Sequence, residues 1–367
     1  MTRTLTAVCL AFFAACALAS AQPAVKRYLY ISMPDAAQKE GRSEPPGILI
    51  FDIDDGHKLV RRIPVPAFEE GLRGFAGNLK THSVYYSTTN RRLGSFDLES
   101  EKIVWEKVYE AGCDRSSITL DGSKIYVPTG WWYSGDDSGL LVVNGRTGEL
   151  IKRIQVGPQA HNSIVNLDGT RLYLGTRTTL TIFDTANEKV IRQIPDVGER
   201  GIFPFTIDSA NRYGYICLGA TIGFDVVNLQ TGKVLHRVIA NSHEPIRNRT
   251  HGVGLTPDER ELWISDQKGQ KLFIFDATKM PPVQTGELPL SDGGHGWITF
   301  SADGRYAWSH APDVYDARTK KLAATLRDER GNPVSGSKFL EVHFRDGKVV
   351  WIGNEFGLGR KNESRRQ

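Results

Sequence analysis

The feature that most narrows the fold of this chain is a unit that returns at near-constant spacing. From His251 to Lys279 the sequence reads as an apolar strand, a Thr-Pro-Asp turn and a second strand, Leu262-Trp263-Ile264-Ser265. A polar connection leads to a third strand, Leu272-Phe273-Ile274-Phe275, which ends on Asp276. An apolar strand closing on Asp or Asn recurs at Asp52, Asp97, Asn144, Asp184, Asn228, Asp276 and Asp316, seven copies spaced 40 to 48 residues apart. After each comes a polar turn, such as Thr147-Gly148-Glu149 or Thr231-Gly232-Lys233, and then another strand. Residues of these types supply the left-handed or Asx-type geometry of a tight reversal, so each copy reads as a hairpin. A further hairpin precedes the copies, clearest at Leu120-Asp121-Gly122 and Leu167-Asp168-Gly169, with versions starting at Asp208, Asp258, Asp303 and Asp346.

Two hairpins per repeat of about 45 residues make a four-stranded antiparallel unit, and this period is that of a propeller blade. The strands are rich in Val, Ile, Tyr, Phe and Trp, and few windows carry a helical period. The expectation is an all-β chain folded as a seven-bladed β-propeller. A ring of sheets must close or leave exposed edges. The N-terminal module from Arg27-Tyr28-Leu29-Tyr30 lacks an inner strand, and the C-terminal stretch Phe339 to Phe344 supplies one. Closure by pairing of the N- and C-terminal strands is therefore expected. Whether the Tyr28 strand or Val349-Val350-Trp351-Ile352 takes the second position is left open by the sequence.

The repeat wording, Asp-Gly-x-x-Leu/Ile-Tyr/Trp-Val followed by Phe-Asp-x-x-Thr-Gly-Lys, resembles the YVTN-type propeller repeats of surface-layer, YncE-like and quinoprotein-amine-dehydrogenase-like proteins. The likeness covers essentially all of the chain after its N-terminal signal. It implies the fold and no single activity, because such repeats occur in catalytic, cofactor-associated and binding proteins. The tryptophan-docking motifs that accompany pyrroloquinoline quinone are not in the sequence.

Arg3 followed by the apolar run Leu5 to Leu18 and the small-x-small site Ala19-Ser20-Ala21 reads as a signal peptide over residues 1–21. The remainder, 22–367, is expected to be one propeller domain, exported to the periplasm or beyond, monomeric and without a transmembrane segment. An apolar content of 40% and a charged content of 24% suit a soluble globular chain. The net charge of +4 is too nearly balanced to argue for nucleic acid. Cys9 and Cys16 leave with the signal. Cys113 and Cys217 fall in non-adjacent repeats and are expected to be free, Cys217 in an apolar strand and Cys113 inert rather than reactive beside Arg115.

In a four-stranded meander, lettered a to d from the axis outward, the b–c and d–a connections share one face. The long insertions fall there, at 33–47, 130–139, 241–250 and 327–338, and loops on a rigid scaffold are where binding groups collect. The inner strands start on that face, so the residues just before them should ring the axial opening. Counting back from the hairpin aspartates gives Asp114 with Arg115, His161, Arg200, His251, His295 with nearby Trp297, and Lys338; Arg73 is a looser match. Arg73, Arg115, Arg200 and Lys338 favour an anionic ligand. His161, His251 and His295 recur at equivalent positions, and three imidazoles facing one opening suit a transition metal with a vacant position. Trp131, Trp132 and Tyr133 beside Asp136 and Asp137 read as an aromatic platform for a protein, peptide or glycan partner. The hairpin aspartates Asp121, Asp168, Asp258 and Asp303 read as turn formers, and His57, His236 and His310 as surface residues.

No nucleophile–base constellation is recognisable. The foremost expectation is a ligand- or protein-binding module. A metal-assisted, lactonase-like hydrolase built on the three axial histidines is the first alternative. A cofactor or electron-transfer scaffold is the second.

Overall fold

The computed structural model describes residues 24–33, 46–88, 90–177, 179–241, 249–266, 268–293, 296–334 and 338–361. Among these the strands form seven sheets, one of five strands and six of four, every pairing antiparallel. Blade 2 spans 72–108, blade 3 117–155, blade 4 162–194, blade 5 205–239, blade 6 250–289 and blade 7 299–325. The chain is a seven-bladed β-propeller, as its repeats require.

The blades owe their shape to where apolar residues fall. Strands b and c are covered on both faces and read as continuous apolar runs, such as Leu140-Leu141-Val142-Val143. The outermost strands alternate, as in Val283–Pro289, where every second side chain is exposed. In every blade the c–d pairing slips by one residue near the Asp or Asn that ends strand c, at Phe51, Phe96, Val143, Phe183, Val227, Phe275 and Tyr315. A bulge at this fixed place adds the twist that separates a crowded inner strand from a splayed outer one. The closing Asp or Asn accepts from the turn beyond it, as when Asn144 Oδ1 receives the N–H groups of Arg146 and Thr147. Asp121, Asp168, Asp258 and Asp303 likewise accept the amide two residues on, so all four are turn formers. The core lies between blades: in blade 1, built from 26–32, 48–63 and 338–352, Tyr30 and Ile50 pack on Phe75 and Tyr86 of blade 2, and Leu29 and Phe51 on Trp308 of blade 7.

Blade 1 closes the ring with strands from both ends of the chain. Lys338–Arg345 is its inner strand and pairs with Lys26–Ser32 from Lys26↔Phe344 to Ser32↔Lys338. Ile48–Asp52 and Lys58–Ile63 complete the outer half. The Tyr28 strand therefore holds the second position. Lys348–Ile352 folds back on the free edge of the inner strand as a fifth strand. The Asp346-Gly347 pair, with φ of 51° and 75°, makes the two-residue reversal that returns a strand beside its own predecessor.

The seam between blades 7 and 1 corrects one expectation. His57 is buried, not on the surface. Its Nε2 accepts from Trp308 Nε1 at 3.2 Å and its ring meets Tyr306 edge-on at 4.7 Å. Arg27 bridges Asp54 and Asp303 at the same seam.

Candidate functional site at the axial opening

Each inner strand starts at the loop face, and two of them carry an extra residue there. Pairing steps from Leu72↔Thr88 to Phe75↔Tyr86 in blade 2, and from Thr250↔Asp266 to Val253↔Ile264 in blade 6, three residues against two. The bulged residues are Arg73-Gly74 and His251-Gly252, and a bulge re-aims the side chain it carries. Gly252 is dictated by space: a Cβ there would stand 2.2 Å from Ser265 Oγ and 2.8 Å from the Gly296 carbonyl. Gly74 donates to Ser87 Oγ, which in turn donates to the Asp114 carbonyl.

Asp114, Arg115 and His161 form one buried network. His161 Nδ1 stands 2.6 Å from Asp114 Oδ2, and Arg115 Nη1 lies 3.1 Å from His161 Nε2 and 3.2 Å from Asp114 Oδ1. Burial works to raise the Asp114 carboxyl, but His161 and Arg115 outweigh it and hold the group well below the usual carboxylate range. Burial lowers His161, more than Asp114 raises it. The arrangement fits a neutral imidazole that donates from Nδ1 to the carboxylate, with Arg115 Nη1, also 3.5 Å from Nδ1, lying against the ring. Arg73 approaches the same carboxylate at 3.9 Å.

Opposite this network lie His251, driven down by burial and by Arg115, and Lys338 at the head of the closing strand, lowered by burial and Arg115. An aromatic wall joins the two sides. Trp131 meets His161 edge-on and lies against Phe203, Phe203 meets His251, and Arg249 sits over the Phe203 ring at 4.7 Å. From the opposite end of the channel the segment 353–361 enters and brings Glu355, which is fully buried. Phe75 N–H reaches Glu355 Oε1 at 3.4 Å. Arg115 Nε, Ser116 Oγ, Asn162 Oδ1, Ser265 Oγ, Ser309 Oγ and Glu355 Oε2 are buried with no hydrogen-bond partner among the described residues. Native interiors leave few such atoms, and a cluster of them calls for an explanation.

The sequence expectations fare unevenly. Arg73, Asp114, Arg115, His161, His251 and Lys338 do converge on the opening. Arg200 is exposed and joins none of these contacts. Trp297 is buried, donates from Nε1 to the Phe205 carbonyl at 2.7 Å and packs on Phe356, so it seats the incoming segment. His295 lies outside the described residues, as do most of the 33–47 and 241–250 loops and part of 327–338. Both ring nitrogens of His161 are engaged by protein groups, one of them a guanidinium, which suits a divalent cation poorly. Among the described residues no three His, Cys, Asp or Glu side chains are grouped to hold a metal.

The three-ring platform does not form. Trp131 turns inward onto His161, Tyr133 is half-buried, and Trp132 alone is well exposed, at 80%, with Asp136 and Asp137 exposed nearby. His310 is buried beside Phe339, not on the surface, and His236 is half-buried on an outer strand. Cys113 and Cys217 are free, buried and pushed up by burial. Glu355, Phe203 and Arg249 were missed by sequence reasoning. Glu355 lies beyond the last strand, outside any repeat frame. Its one cue was an acid set among Phe356 and Leu358, both buried here.

No family model matches this chain, and no curated protein does. Among solved structures, a chain of hydrazine synthase from Kuenenia stuttgartiensis is similar, with a TM-score of 0.58 and 16% identity over 80% of this chain and 98% of that one. A likeness at this identity speaks for the fold alone.

Proposed function

We propose that this protein is an exported binding module of the YVTN-repeat kind whose axial opening takes a small anionic ligand, or an anionic group borne by a peptide or glycan, from the loop face. One observation carries the reading. Four cationic side chains, Arg73, Arg115, Arg249 and Lys338, surround the opening against two acids, Asp114 and Glu355, while Arg115 Nε is buried without a partner among the described residues. Burying Arg115 and Lys338 costs free energy that packing does not require, and a bound oxyanion supplies acceptors in the geometry a guanidinium fork offers. The Trp131–Phe203 wall gives the ligand an apolar side, and exposed Trp132 lies in the same loop for a larger partner. Export rests on the N-terminal segment 1–21, outside the described residues.

The test is calorimetric titration of the protein and of Arg115→Met with sulfate at low ionic strength. Saturable binding that the variant loses is expected. Absence of binding, or equal binding by the variant, overturns the reading.

A further inference from the structure

The segment that closes the lower end of the channel is held on both sides of Glu355. Gly353 N–H donates to the Glu341 carbonyl, and the Gly357 carbonyl accepts from Leu255 N–H and Thr206 Oγ1. Thr299 Oγ1 donates to the Glu355 carbonyl, and Arg360 reaches the carbonyls of Phe300 and Ser301. These bonds fix the backbone on both sides of Glu355. Facing it are Lys338 from the closing strand, Arg115 and Asp114 from the entry to blade 3, and the Phe75 amide from blade 2, with Arg73 standing 3.9 Å from the Asp114 carboxylate. Glu341, on the same strand as Lys338, is already committed to His343 and the Ala302 amide.

From this placement, and resting on the anion-binding reading of the same opening, we infer that Glu355 is a counter-anion built into the site and that an entering anion is bound together with a proton taken up by Glu355. Ligand and carboxylate compete for the same cations, Arg115 and Lys338. Two negative charges held in one buried space cannot both persist at low cost, and the group that neutralises is the one already under pressure from burial. Burial raises the Glu355 carboxyl, with Lys338 and then Arg115 pulling against it. The proton balance is simple. A solvent proton joins Oε2, the oxygen with no partner among the described residues, and the new O–H donates to a ligand oxygen. The route need not pass the ligand. Glu355 also lines a cavity of about 180 Å³ between the tail and the inner strands of blades 2, 3 and 4, room for several waters at about 30 Å³ each. An occupant of this site is thus an oxyanion with at least one oxygen free to accept from Glu355.

The test uses sulfate and methanesulfonate, a dianion and a monoanion that do not titrate near neutrality. Calorimetry on the whole protein, in two buffers of different ionisation enthalpy at mildly alkaline pH, counts protons taken up per anion bound. The expected count approaches one for the wild type, with affinity falling about tenfold per pH unit once Glu355 is ionised in the free protein. Glu355→Gln, nearly isosteric, is expected to bind with less proton uptake than the wild type. Wild-type binding without proton uptake overturns the inference and needs no variant. Uptake in Glu355→Gln equal to that of the wild type places the proton on Lys338 and overturns it too. Silence from both proteins with both anions overturns the anion-binding reading itself.

Discussion

The seam where blade 1 meets blade 7 is the place where the two chain ends close the ring, and His57 makes it sensitive to acid. Burial, with Arg27 nearby, lowers His57 from its ordinary 6.5 to about 4. A depressed folded value means that the stability contributed by neutral His57 is fully present above the unfolded value and is lost as pH falls through the folded one. Protonating the ring removes the acceptor of Trp308 Nε1 and places an uncompensated charge between Tyr306 and Trp308. With values of 6.5 unfolded and about 4 folded, linkage gives a loss of about 2 kcal/mol by pH 5 and about 3 kcal/mol by pH 4. His57→Asn isolates this contribution. The left-handed φ of 59° at this position is one that Asn tolerates, and Asn does not titrate. At neutral pH the variant should be less stable by about 2 kcal/mol, from lost ring contacts and a displaced acceptor. Toward pH 4 the gap should close and then invert. Urea unfolding followed by tryptophan fluorescence at a series of pH values measures it. Parallel wild-type and variant curves between pH 7 and pH 4 would refute the argument, because His57 would then titrate alike in the folded and unfolded chains.

Four further outcomes follow from packing and burial. Gly254→Ala places a Cβ 1.9 Å from the Ile298 carbonyl oxygen, where the inner strands of blades 6 and 7 already share a 3.0 Å backbone bond from Ile298 N–H to the Val253 carbonyl. It should destabilise by about 3 kcal/mol in chemical unfolding. Gly286→Ala, with nothing within 4 Å of its added Cβ, should be neutral or stabilise by about 0.5 kcal/mol. Phe356→Ala empties the space against Trp297 and should cost about 4 kcal/mol, read as a lower midpoint at unchanged slope. Cys113 and Cys217, both raised by burial, should resist Ellman's reagent at mildly alkaline pH until the protein is unfolded; prompt reaction of either thiol in the native protein would contradict their placement.

What the sequence disclosed and what it hid have a common physical basis. Blade number, strand order and turn aspartates are local, set by spacing along the chain and by residues that hydrogen-bond their own neighbours, so Asp121 and Asn144 could be placed without knowing the fold. The axial ring was reachable because inner strands start at a fixed offset, which found Arg115, His161, His251 and Lys338. Side-chain direction was not reachable. Trp131 and Trp132 are adjacent in sequence, yet one turns onto His161 and the other into solvent. His57 looks like a turn residue and is one, but its ring is claimed by the neighbouring blade across the seam. Glu355 reaches the axis only because a tail outside the repeat returns along it.

That tail makes the two ends of the channel unlike. The lower end is lined by Phe356 and Leu358 and stitched to blades 5, 6, 7 and 1 by the hydrogen bonds of 353–361, so it serves stability. The upper end keeps buried charge and unpaired polar atoms, each costing on the order of 1 to 3 kcal/mol. Had stability alone shaped this axis, apolar side chains like those below would fill it, since replacing buried charge by well-packed apolar groups is commonly neutral or favourable. The cost is concentrated within one opening, on the face that also carries the 130–139 loop. A cost gathered at a single place is what the proposed anion site would impose on its scaffold.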